Sequence, residues 1–220
     1  MSTKTVPAML EIEGERPVTT TFPVLLPASF GTFKLLLAEG RFTTADFEVF
    51  AAENPDLRLE MTKEGEMIIM MPANAASSNR NGKLTARLFN WTEADGTGMA
   101  FDSSAGFTLP NGAERSPDAS WIRADRWQAL TKEERDSFSP ICPDFVVELR
   151  SKTDRLKPLQ AKMKEYIECG AQLGWLVDPK EKKVHVYRPD APVEVLDNPH
   201  EVTGEPVLKG FVLKLEGIID

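Results

Sequence analysis

The chain has 220 residues, 41% hydrophobic and 27% charged, with a net charge of −8 at pH 7. It is too apolar to be disordered and long enough to bury a sizeable core, and no apolar run approaches the roughly 18–20 residues of a membrane span. The acidic surplus argues against wholesale electrostatic binding of nucleic acid, but it leaves room for a local basic groove or for carboxylates gathered round a divalent ion.

Two cysteines, Cys142 and Cys169, stand outside any metal-binding spacing and are too few for a secreted disulfide scaffold. The reading is a soluble, cytoplasmic protein with no membrane segment. With two histidines, His185 and His200, a histidine zinc site or a Ser-His-Asp triad is poorly supported. His185 sits in the alternating Val184-His185-Val186-Tyr187 pattern of a strand and reads as structural.

In chain order, residues 1–40 read as an irregular arm punctuated by Pro7, Pro17, Pro23 and Pro27, ending in a short helix near Thr32–Glu39. Thr43-Thr-Ala-Asp46 is a helix start, and that helix runs to Asn54-Pro55. Leu57–Met61 and Glu66–Met71 flank a Lys63-Glu64-Gly65 turn as a β-hairpin. Leu84, Leu88 and Trp91 recur at helical steps within a helix over Ser77–Ala94, stopped by Asp95-Gly96. Strands follow at Met99–Ser103, Gly106–Leu109 and Pro117–Ile122. A loop at Ser137–Pro143 leads to the most apolar strand, Phe145–Leu149. A second amphipathic helix covers Leu156–Glu168 and closes at Gly170, with strands at Leu173–Val177 and Lys183–Arg188 and a β-like tail. This order predicts an α/β protein with one domain over 41–220 around a mixed sheet.

Glu148 interrupts the apolar strand, on the face of Val146 and Arg150. A carboxylate among Val and Leu has to be paired, hydrogen-bonded or bound to metal. A buried ion pair with Arg or Lys and a metal site both answer that demand. Asp118, after Pro117, opens a second apolar strand, and two carboxylates on neighbouring strands are oxygen ligands suited to Mg²⁺ or Mn²⁺. On the following helix Lys162 falls inside the stripe of Leu159, Met163, Tyr166 and Ile167. There it either snorkels to solvent or reaches the carboxylates, where it would orient a water or offset phosphate charge.

An Asp, then a strand bearing Glu, then a positive side chain, in αβββαβ order, resembles the PD-(D/E)XK nuclease superfamily. The segments Asn79–Gly82, Phe101–Ser104, Phe107–Gly112, Arg115–Trp121, Pro143–Ser151, Gln160–Met163 and Gly174–Pro179 resemble the Uma-two family of restriction endonucleases, over about residues 40–220. The resemblance implies a restriction-endonuclease-like fold, a mixed β-sheet flanked by helices with extra β-hairpins. It also implies Mg²⁺- or Mn²⁺-dependent hydrolysis of phosphodiester bonds in DNA, and a homodimer. Carried over by position, Asp118 and Glu148 are the metal ligands. Arg150 stands where the superfamily places its lysine, and since arginine cannot serve as a base, Lys162 takes that role as a migrated catalytic lysine. Glu60 matches a glutamate of the family's first hairpin. The competing reading is an inactive nuclease fold that binds nucleic acid or a protein. Two groups of cations could receive a phosphate backbone: Arg80, Lys83 and Arg87, and Arg150, Lys152, Arg155 and Lys157.

Overall fold

The structure, a computed structural model, describes residues 41–70 and 72–220, with the backbone of 8–12, 18–20 and 32–37. The elements in chain order are β1 (Ala8–Ile12), β2 (Val18–Thr20), β3 (Thr32–Leu37), α1 (Thr44–Glu53), β4 (Arg58–Met61), β5 (Met67–Met70), α2 (Ala75–Asp95), β6 (Gly98–Asp102), β7 (Phe107–Thr108) and β8 (Glu114–Arg115). They continue with β9 (Ala119–Arg123), α3 (Ala124–Gln128), α4 (Lys132–Arg135), β10 (Phe145–Leu149), α5 (Leu156–Glu168), β11 (Leu173–Asp178), β12 (Lys183–Tyr187), β13 (Glu194–Asp197), β14 (Glu201–Thr203) and β15 (Val212–Lys214). They fall into two compact units, residues 1–72 with 111–115, and residues 73–110 with 116–220.

In the first unit the strands run in the order β2-β1-β3-β5-β4-β8. α1 begins where the sequence signals it: the Thr43 side chain accepts the Asp46 N–H, and the Asp46 carboxylate accepts the Thr43 N–H in return. The helix expected near Thr32–Glu39 is instead β3, paired antiparallel with β1 and with β5. A Leu-rich run of six suits either conformation, and two flanking strands with open backbone groups decide for the strand. That pairing ties the expected arm to the hairpin beyond residue 40, so this unit runs on to Pro72 rather than stopping there. The rest of the arm lies outside the described residues, as does Met71.

The second unit is mixed α/β, with helices on a six-stranded sheet of order β13-β12-β11-β10-β9-β6. Reading α2, β6, β9, β10, α5, β11 gives the anticipated αβββαβ core of a restriction-endonuclease-like fold. β10 and β11 are parallel and the other neighbours antiparallel. A parallel pair needs a crossover, and α5 supplies it. Because strand residues alternate, Ala119, Trp121, Phe145, Val147, Leu173, Trp175, Val184 and Val186 gather on one face, in a core with Leu84 and Leu88 of α2 and Phe211, Leu213 and Leu215 of the tail. Val146, Glu148, Gly174 and Leu176 take the other face, the one α5 covers. Close packing there depends on Gly174, where a Cβ would come within 2.5 Å of Met163 Cε. Among the described residues no helix is long and apolar enough to cross a membrane.

Candidate active site

β10 is buried along its whole length, so Glu148 is held inside the sheet at 5% exposure. Antiparallel pairing of β10 with β9 runs to Val147↔Ala119; Glu148 follows that last pair on β10, and Asp118 immediately precedes it on the chain entering β9. The Asp118 carboxylate turns to the end of β10, where its Oδ2 accepts the Leu149 N–H at 2.8 Å. That hydrogen bond fixes its position relative to the strand that carries Glu148.

Lys162 does not snorkel. Its ammonium lies 2.7 Å from Glu148 Oε1, with only 13% of the side chain exposed. Tyr166, one helical turn further on, is fully buried and donates its hydroxyl to the same oxygen at 3.1 Å. Its ring centroid is 5.8 Å from the Lys162 ammonium, within cation–π range. Sequence reasoning placed Tyr166 in the apolar stripe and missed this bond. The signal was there: residues at i and i+4 share a helix face, so the phenol had to accompany Lys162 to Glu148.

Arg150 is committed elsewhere. Its Nη1 binds Asp178 Oδ2 at 2.6 Å and Glu181 Oε1 at 3.4 Å, and its Nε donates to the Asp154 carbonyl. It therefore braces the end of β10 and the 151–155 loop rather than facing the carboxylates. Asp144, at the start of β10, accepts the Arg123 N–H and pairs with Arg126 at 2.9 Å. Glu60 pairs with Arg115 at 3.2 Å inside the first unit.

The cations on α2 reach the tail. Arg80 donates to the Asp220 carbonyl, Lys83 to that of Gly217, and Arg87 to those of Lys214 and Glu216, so these side chains clasp the tail against α2. Arg155, Lys157 and Lys152 are exposed around the start of α5. His185 is buried two strands from Glu148, and burial lowers its pKa from the usual histidine value, favouring the neutral ring expected of a structural histidine. Burial pushes the Cys142 thiol up to about 12, in keeping with a small core side chain.

The donor chemistry of Asp118 and Glu148 is that of hard oxygen ligands. Among the described residues no group of three or more His, Cys, Asp or Glu side chains is gathered to hold an ion. A pair of carboxylates fits a Mg²⁺-type ion, which keeps several waters and takes the rest of its shell from substrate, and does not fit a closed zinc site.

A crystal structure described as that of a putative nuclease belonging to DUF820, from Anabaena variabilis, superposes with a TM-score of 0.62 at 22% identity, over 73% of this chain and 89% of that one. At that identity the likeness establishes the fold. Among curated proteins nothing matches the chain. The family model Uma2, described as "Putative restriction endonuclease", matches residues 44–216, a span that takes in Asp118, Glu148, Lys162 and Tyr166. The chain belongs to the Uma2 (Uma-two) family and has its nuclease-type fold.

Proposed function

We propose that the protein is a divalent-metal-dependent endonuclease that hydrolyses phosphodiester bonds in DNA, with Asp118 and Glu148 as ligands of Mg²⁺ or Mn²⁺ and Lys162 as the catalytic cation. The observation that carries this reading is the 2.7 Å approach of Lys162, from a different element, to Glu148, the neighbour on β10 of the Leu149 N–H that holds Asp118. Such an ion, when bound, polarises a phosphoryl oxygen and lowers the pKa of a water. The rest falls to the chain. Asp118 and Glu148 would hold that ion through their carboxylate oxygens. Lys162 orients the attacking water and offsets charge developing on the phosphate oxygens. β10, buried throughout, and Asp118, held by the Leu149 N–H, keep the geometry preorganised. Action in the cytoplasm and as a homodimer, the state implied by the nuclease resemblance, complete the reading. A single sedimentation-velocity boundary at twice the chain mass is the expected outcome.

The decisive experiment is plasmid nicking. Purified protein should relax supercoiled DNA with Mg²⁺ or Mn²⁺ and not with chelator. Asp118→Asn keeps an oxygen for the Leu149 N–H and removes the charge, so the fold should survive while cleavage falls about 100-fold or more. A parent protein that cleaves nothing under either metal would leave the binding-module reading, in which Lys162 and Glu148 are only a buried ion pair.

DNA also has to approach a molecule of net charge −8. The exposed Arg155 and Lys157, entering the helix that bears Lys162, are the phosphate contacts we infer. Neutralising both should weaken DNA binding and lower the slope of log K against log salt by about 1–2, measured by fluorescence anisotropy across a salt series. An unchanged slope places the groove elsewhere.

A further inference from the structure

Tyr166 does more than fill the space under α5. A phenol with no exposed surface has to place its hydroxyl on a partner, and here the partner is the carboxylate in the middle of the candidate site. A hydrogen bond to an ionised acceptor is stronger than a neutral one and aligns the acceptor. The turn that carries the phenol is itself anchored. The Tyr166 carbonyl accepts the Ala171 N–H at 3.0 Å and the Cys142 thiol at 3.5 Å, and Met163 of the same turn is seated against Gly174. The hydroxyl is thus delivered to Glu148 from a rigid support, and the ring lies beneath the Lys162 ammonium.

We propose that Tyr166 is a positioning residue of this site: by donating to Glu148 Oε1 and flooring the Lys162 ammonium, it sets the orientation in which the Glu148 carboxylate meets a divalent cation. The inference rests on the metal-dependent reading above and extends it to a residue which that reading does not use. Partners that orient a metal ligand typically govern affinity or activity by about 10–100-fold.

Tyr166→Phe deletes one buried oxygen and keeps the ring. In the full chain, Mn²⁺ affinity read by electron paramagnetic resonance should fall about tenfold or more, and kcat for plasmid nicking should fall with it, while KM for DNA stays within about twofold. Incorporating 4-aminophenylalanine at the same position, which keeps a donor in place, should restore most of the Mn²⁺ affinity. Tyr187→Phe is the control: it alters another buried tyrosine, on β12, and should leave Mn²⁺ affinity unchanged. A parent-like Mn²⁺ affinity and kcat in Tyr166→Phe would overturn the inference and leave the nuclease reading intact. Equal losses in Tyr166→Phe and Tyr187→Phe would overturn it too, as general loosening of the core. A parent that binds Mn²⁺ but nicks nothing, with weaker binding in Tyr166→Phe, would uphold the inference and remove the nuclease. A parent that binds no Mn²⁺ would overturn both.

Discussion

Lys162→Met should lower plasmid nicking by about 100- to 1,000-fold while the protein still folds, the scale on which enzymes lose rate when one group stabilising transition-state charge is removed. Methionine matches the length of the lysine stem, so packing along α5 is conserved and the loss is that of the ammonium. The fold will register the change as well. Glu148 and Lys162 are 6% and 13% exposed at their side chains, so removing the cation takes a close counter-charge from a buried carboxylate, a cost of order 3 kcal/mol. The Tyr166 hydroxyl stays on Glu148 Oε1 and softens that cost. A divalent ion at the carboxylates would offset it further, so Mg²⁺ should raise the Tm of Lys162→Met by more than it raises that of the parent. Scanning calorimetry with and without Mg²⁺ reads this independently of cleavage. A variant that nicks at the parent rate would remove Lys162 from the chemistry.

The parts of this site that the sequence displays are those specified by local pattern. Phe145–Leu149 and Leu156–Glu168 have the bounds read from an unbroken apolar strand and from a helical stripe closed by Gly170. Lys162 could be singled out because a cation inside an apolar stripe has to go somewhere. What depends on distant partners is hidden. Arg80, Lys83 and Arg87 look like a solvated face until the tail carbonyls, more than 100 residues away in the chain, come to rest on them. β3 looks helical until its two neighbouring strands are in place. The short α4 was legible in principle, since Thr131 and Glu134 form a capping box, but its four residues, Lys-Glu-Glu-Arg, offer no apolar periodicity to draw attention to it. Tyr166 belongs to the buried stripe of α5. Its ring and hydroxyl both face Lys162 and Glu148, and the four-residue spacing from Lys162 is the sequence signal of that, masked by the apolar residues around it.

Arg150→Met should be the most destabilising change near the site that touches neither Asp118 nor Glu148. Asp178, its partner at 2.6 Å, has no exposed surface, and Arg150 is only 10% exposed. Without the guanidinium, the Asp178 carboxylate keeps the Lys180 and Glu181 backbone N–H donors but loses its nearest counter-charge. Breaking such a buried pair costs about 3–5 kcal/mol, which for a chain of this size lowers Tm by roughly 10 °C. Arg150→Lys keeps the charge but gives up the planar fork that reaches Asp178, Glu181 and the Asp154 carbonyl together, so its loss should be smaller. The same substitution tests how the site is organised. Arg150→Lys places a lysine two residues after Glu148 in the chain, yet the bond to Asp178 holds the side chain at that position away from Glu148. Placed in the Lys162→Met background, Arg150→Lys should therefore fail to recover nicking. Recovery to within about tenfold of the parent would mean that a lysine leaving β10 can reach the scissile phosphate, and that the helix lysine is one of two interchangeable sources of the same charge.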